Sequence, residues 1–546
     1  MRREGTVYKG ENKNNHISRE GTMKKRFPLL IFIIVALGTF IYGLGSAPQA
    51  LAVITFMNGD MRVDGFYKEY IYTRLHIPGK QQRFHSTNVD EMLSSFLVNV
   101  LYKVKEDECQ SIHLFTAIKY WYEKASVWDS KLNSAIPPHE KTQYQHPVNE
   151  EDIIAEAYLD YIRGPFNLKI GKQIVVWGET DIQRTVDIVN PLDLRYGSPG
   201  VFSWSELKKG LWMFRGFYQS QLPGGLLFEG IYNPGYYQGI TLTTEGTHWG
   251  PSPVKPNGFN PGHGSGIYNW SVTEGFKRWA PKKWAMSNWE LGFRVRGFTW
   301  NIDWTLVYYN SLADAPVAVP KAIGNYGVAY VSEGFRSLDT GETINPKYDG
   351  PPAYSYRRYQ LFGGTMQTII DKLHGSVWRC EYFYEHNLSY NEGTNASSSA
   401  ITDIVKRDTV GLGLNYADKF NIPYITKHWF SNQYFQVSLT GFYEKILNYN
   451  KDLIVDTSRS HRVGASHATL ISWNLMQQWN NVIWTFVFTG SWNPEIKKGF
   501  IAPMIAYGPG NHWRFEGGPV FYCSSYKPNR GYYDKDSILI RIRYEF

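Results

Sequence analysis

The chain has 546 residues, of which 16% are aromatic and 19% charged, with 50 Gly, 39 Tyr and 19 Trp, a composition that suits strands and turns better than helices. Of the 57 Lys plus Arg and 49 Asp plus Glu, residues 1–52 hold 8 and 3, which leaves 49 against 46 in the rest. A body so nearly neutral gives no reason to expect nucleic acid as a partner, and three scattered cysteines, Cys109, Cys380 and Cys523, exclude a disulfide framework, a haem-attachment motif and a paired zinc motif while allowing at most one disulfide.

The first element is an export signal. From Met23, a possible true start, a basic cluster at Lys24 to Arg26 leads into an apolar run from Phe27 to Leu44, then Pro48 and the small-residue site Ala50-x-Ala52. The apolar run is just long enough to span a bilayer as a helix, but the small residues at the proper distance favour a signal peptide over 1–52, cleaved after Ala52. Residues 53–546 then form one domain.

From Arg62 onward, apolar and polar residues alternate with period two, the signature of strands with two unlike faces. Trp289, Leu291, Phe293 and Val295 oppose Glu290, Arg294 and Arg296; Trp378, Cys380, Tyr382 and Tyr384 oppose Arg379, Glu381 and Glu385. Trp484, Phe486, Phe488 and Trp492 oppose Thr485, Thr489 and Ser491. A soluble sandwich also alternates, but an interior about 10 Å thick has difficulty filling every layer with rings of this size. A lipid-facing surface accepts them readily.

Connections alternate as well. Short turns at "KEDEC", "IRGP", "SQLPGG", "WNID", "DKLHG", "WNN" and "GPGN" interleave with long loops at 126–150, 179–207, 235–286, 311–355, 387–402 and 447–464; 417–432 breaks the rhythm. Short turns at one rim and long loops at the other predict an all-β fold, a transmembrane antiparallel β-barrel of about 18 strands, or 16, with short periplasmic turns and long extracellular loops. The last strand places Ile538, Ile540, Ile542, Tyr544 and Phe546 on one face and Ser537, Arg541, Arg543 and Glu545 on the other. Its terminal Phe546 resembles the signal by which the barrel assembly machinery recognises bacterial outer-membrane proteins. The bacterial outer membrane is therefore the expected location, with its lipid and that machinery as partners.

Strand five, about Phe166 to Trp177, hands over at Gly178 to a stretch dense in both signs: Glu179, Asp181, Arg184, Asp187, Asp193 and Arg195. We expect this third long loop, 179–207, to fold into the lumen as a constriction, where opposed acids and bases orient polar solutes. The lumen wall would offer Arg294, Arg296, Arg379, Glu381, Arg541 and Arg543. Equally, these charges can pair with one another and hold the loop against the wall, since buried ionic groups must be paired or hydrated.

The pattern G-K-Q-x3-W-G-E-x-D at Gly171 to Asp181, with Asn190-Pro191-x-Asp193 and "ELKKGLWMFRGFYQSQLPGG" from Glu206, resembles the domain of unknown function 1302 family of Gram-negative outer-membrane proteins. The resemblance is carried by residues 165–230 and, through the barrel pattern alone, by the rest. It implies a secreted outer-membrane barrel and no particular substrate; transport of lipids or other hydrophobic compounds is among the roles it suggests.

For function, a porin-like channel for passive passage of small solutes comes first, with inward Arg residues favouring anions. A conduit or receptor for apolar or aromatic compounds or lipids is the second reading. It rests on Trp249, Trp270, Trp279 and Trp284 in loop 235–286, with Trp121, Phe298 and Phe383 as a lumenal track. The third is a sleeve for a partner protein. No enzyme is expected, because "GHGSGI" at Gly262 lacks the G-x-S-x-G elbow and neither a Walker loop nor H-E-x-x-H occurs. No cofactor or metal site is expected, and association of barrels into homo-oligomers is compatible with the outward apolar faces.

Overall fold

The structure, a computed structural model, describes residues 53–546 apart from 76–88, 137, 181–183, 198–203, 223–224, 242–247, 249–278, 320–353, 372–374, 394–400, 422–423, 425–433, 455–464, 480–482 and 525–534. The expected signal peptide, Asp181, Trp249, Trp270 and the Gly262 motif lie outside the described residues.

Period-two sequence becomes a ring of antiparallel strands. In chain order they are β1 (Met61–Arg74), β2 (Val89–Glu106), β3 (Gln110–Glu123), β4 (Ile154–Arg163), β5 (Phe166–Gln173), β6 (Leu211–Gln219), β7 (Leu227–Asn233), β8 (Glu290–Thr299) and β9 (Ile302–Leu312). They continue as β10 (Arg358–Ile370), β11 (Ser376–Gly393), β12 (Ile401–Phe420), β13 (Phe435–Ile446), β14 (His467–Trp479), β15 (Trp484–Asn493), β16 (Lys498–Tyr507), β17 (Trp513–Ser524) and β18 (Ser537–Glu545). Each pairs with its chain neighbours, and β1 pairs with β18 from Phe66 opposite Glu545 to Arg74 opposite Ser537. The ring of 18 strands is closed, so no strand edge is left with unmet backbone groups. Phe546 finishes the seam: its backbone exchanges hydrogen bonds with Gly65 at 2.9 and 3.1 Å, and its ring stacks on Phe96 at 6.0 Å.

The faces are sorted inside out relative to a soluble protein. Phe293, Leu306, Trp378, Leu414, Phe486, Ile538 and Ile540 are exposed on the outer surface, whereas Glu229, Glu381, Glu385 and Ser537 are buried within. An apolar outer belt around a polar interior suits lipid. Among the described residues no helix is long and apolar enough to cross a membrane.

The two rims differ as expected, with corrections. Trp300 and Asn301, at φ 53° and 62°, make the tight β8–β9 turn that requires two left-handed residues. The segment 387–402 is mostly strand, because β11 and β12 run on to Gly393 and from Ile401. On the loop rim, residues 494–497 form a tight connection that the rhythm did not anticipate. The segment 124–153 carries short helices at Ala125–Trp128, Ser130–Ala135, Pro138–Gln145 and Glu150–Ile153. Strand β5 stops at Gln173, four residues before the expected Trp177, because the chain turns inward there.

Candidate functional site

The described residues of 174–210 leave the wall between β5 and β6 and pack inside the ring. A chain that abandons its sheet must find other partners for its backbone groups, and polar side chains supply them. The Ile174 amide donates to Glu156 Oε2 at 2.8 Å, that of Val175 to Asn190 Oδ1 at 2.7 Å and that of Trp177 to Asp187 Oδ1 at 3.1 Å. Farther along, the amides of Glu179 and Thr180 both donate to Glu381 Oε1 on β11, the latter at 2.7 Å. Carboxylates of the wall, Glu156 and Glu381, together with Asp187 and Asn190 of the segment, thus replace a lost strand partner.

Extended backbone alternates, so Val175 and Trp177 are wholly buried while Val176 between them is 56% exposed. Trp177 meets Tyr309 edge-on at 5.9 Å and donates its indole N–H to Glu229 Oε1 at 3.1 Å. It lies directly on Gly292: a Cβ there would come within 2.6 Å of the indole. With Val186 and Val189 it forms an apolar cluster against Leu361, Phe383 and Phe442 of the wall.

The other end is held by charge. Asn190 Nδ2 donates to the carbonyls of Gln173 and Lys209, doubling the segment back on itself. Lys208, its side chain fully buried, reaches Asp187 at 2.5 Å and the Val175 carbonyl at 2.9 Å. Arg195 forks onto Asp193 at 2.9 and 2.6 Å, donates to the Gln143 carbonyl at 2.8 Å and lies over the Trp121 ring at 4.9 Å. Beyond it, Glu206 accepts from Lys68 at 2.5 Å and Tyr70 at 3.1 Å on β1, and Lys119 of β3 donates to its carbonyl at 2.7 Å. Burial alone would push the Asp193 carboxyl up, but Arg195, with Lys119 and Lys209 nearby, holds it well below the usual carboxylate range. Burial presses the Lys209 amine down to about 8, with Asp193 partly opposing. Lys208 is likewise lowered by burial against the pull of Asp187.

The expected constriction residues therefore take different places. Asp187 and Arg195 are buried and Asp193 is half-buried, and all three are paired inside the segment. Arg184 is half-buried and donates to the carbonyls of Asp187 and, at 2.6 Å, Asn190. Glu179 is half-buried and acts at longer range on Arg296. On the wall, Arg294 pairs with Glu229 at 2.7 Å, Arg296 with Asp303 and Arg543 with Glu545. Arg379 is held by neutral groups, Gln367 Oε1 and Asn415 Oδ1, each at 2.8 Å. Of the supposed aromatic track, Trp121 and Phe383 are buried in packing, and Phe298 is exposed near the short-turn rim.

Sequence reading passed over the groups that complete these contacts. Glu229 takes two arginines, Arg215 at 2.6 Å and Arg294, and Glu516 takes Arg514 at 2.5 Å and Arg541. Two Arg–Glu–Arg triads thus stand inside the ring, on β6–β8 and on β17–β18, each with one positive charge in excess. Inward parity on their strands was the available signal. Among the described residues no group of three or more His, Cys, Asp or Glu could hold a metal ion.

The model of the family described as protein of unknown function (DUF1302) matches residues 109–546. The chain belongs to that family. No curated protein matches this DUF1302 barrel. Among solved structures it is similar to OccAB1 of Acinetobacter baumannii, at 8% identity and a TM-score of 0.45 over 91% of this chain and 99% of that one. It is also similar to Salmonella typhi OmpF in complex with daunomycin, at 10% identity and a TM-score of 0.40 over 90% and 100%. The outer membrane channel DcaP of Acinetobacter baumannii aligns at 7% identity and a TM-score of 0.37 over 91% and 100%.

Proposed function

We propose that this barrel lies in the bacterial outer membrane and passes small solutes, anions in preference, through a lumen narrowed by the described residues of 174–210. The observation that carries the preference is a local excess of guanidinium groups on the wall, opposed by the inward Glu381 and Glu385. Two Arg–Glu–Arg triads each leave one guanidinium in excess, and Arg379 is held by amides alone. Fixed cationic groups along a pore lower the barrier for anions and raise it for cations. The triads adjoin the inner segment: Arg294 donates to the Val176 carbonyl, and Arg541 lies over Tyr70 beside Glu206. The segment acts as a shaped obstacle rather than as an opposed-charge filter, because Asp187, Asp193 and Arg195 neutralise their partners locally. The half-buried Glu179 and Arg184 remain to face a solute. The barrel performs no chemistry in this reading.

The test is ion selectivity of the folded protein in a planar bilayer. Anion preference should rise in Glu229→Gln and Glu516→Gln and fall in Arg379→Gln. Cation preference in the wild type, or a selectivity indifferent to all three changes, would sink the proposal.

A further inference from the structure

On the outside of the ring, where β3 to β6 pass side by side, the apolar belt is interrupted by a groove of about 500 Å³, a size ordinary for small-ligand sites. Its floor is low because Thr116 and Ala157, directly paired across β3 and β4, are small. Leu114, Ile170 and Phe214, all on outward positions, form its sides, and Trp212 and Trp284 stand at its loop-rim end.

Trp284 is the telling residue. It is 55% exposed and adopts φ 61°, a left-handed backbone that a bulky side chain takes only under strain. That conformation sets its ring 6.2 Å from Trp212 and 5.1 Å from Tyr236 at the head of the groove. Immediately before it come Lys282 and Lys283, both exposed. Lys283 pairs with Glu151, and no ion pair engages Lys282 among the described residues.

We propose that this groove is a binding site for one phosphorylated acyl lipid of the leaflet at the loop rim, an acyl chain lying along Leu114, Ile170 and Phe214 beneath Trp284 and the head-group phosphate at Lys282, with Lys283 beside it held by Glu151. An apolar furrow on a lipid-facing wall suits a chain, and an aromatic residue at its polar end suits the interface. Exposed lysines just beyond the apolar belt select an anionic head group. The site requires the barrel to be embedded in lipid but is independent of what crosses its lumen.

Native mass spectrometry of the full chain in mild detergent, titrated with phosphatidylglycerol or phosphatidylcholine, tests it. The wild type should retain one phosphatidylglycerol in roughly tenfold preference to phosphatidylcholine. Lys282→Gln should abolish the head-group preference, and Trp284→Ala should weaken retention of both lipids. Ala157→Phe, which fills the groove without removing a contact, should exclude the lipid while conductance persists. Equal retention by the wild type and Ala157→Phe would overturn the site. So would loss in Ala157→Phe of a dimer or trimer with no change in bound lipid, which would assign the groove to a second copy of the chain. Loss of conductance with unchanged lipid binding would count against the channel and leave the lipid site standing.

Discussion

The two ends of the inner segment are anchored by different physics. At the first, Val175, Trp177 and Val186 are buried against the wall and carboxylates serve chiefly to receive backbone amides. At the second, Arg195, Asp193 and Glu206 make ionic contacts, with aromatic rings beneath them. Apolar burial is insensitive to pH and gains with area, whereas a buried ion pair is strong only while both partners keep their charge. One loop thus has an end that responds to volume and an end that responds to protonation.

The largest effect should come from the apolar end. Trp177→Ala should cost ~3–5 kcal/mol, as for buried aromatics generally, and increase single-channel conductance by freeing the segment from β9; chemical unfolding in detergent and bilayer recordings check both. Unchanged conductance with lost stability would mean that the charged end alone holds the segment in place. Arg195→Met should cost on the order of 3 kcal/mol by leaving Asp193 without its arginine, partly relieved by Lys119 and Lys209, and its conductance trace should be noisy rather than merely larger.

The ends should separate again under pH. Lys209 titrates at about 8 in the fold against 10.5 unperturbed. Between those values the unfolded chain binds more protons, so stability rises with pH through this window. Thermal unfolding at pH 7.5 and 9.5 should show that gain relative to Lys209→Met. At the acid side the sign is the same: the Asp193 carboxyl is depressed, so its contribution is complete above its unfolded value near ~4 and is lost only as pH falls through the lower folded value. Stability from the charged end should therefore hold down to about pH 5. The smallest effect belongs to Arg296→Gln, whose pair with Asp303 is 45% exposed on the Arg side; no more than ~1 kcal/mol is expected, a baseline for the others.

How far the sequence could be read follows from the range of each interaction. Alternation is local, so the 18 strands and their outward faces were legible from Trp289 or Ile538 and their neighbours alone. Helices at 125–153 were not, being short and lacking a periodic face. The inward turn was legible at Gly178 as a burst of charge, but its purpose was not: Glu179 finds its acceptor 202 residues away on Glu381, and no spacing rule connects them. The triads required parity and partner together. Glu229 and Glu516 have inward parity, yet only the ring brings two arginines to each.

The contents of the two apolar interior clusters carry a consequence for assembly. The first cluster draws its members from one continuous stretch of chain, Val175 to Leu453. The second unites Tyr70 and Trp121, early in the chain, with Val520 and Leu539 at its end. Its packing is complete only when β18 meets β1. The second cluster is thus a clasp fastened from within, and it cannot be fully packed until the seam that Phe546 finishes is closed.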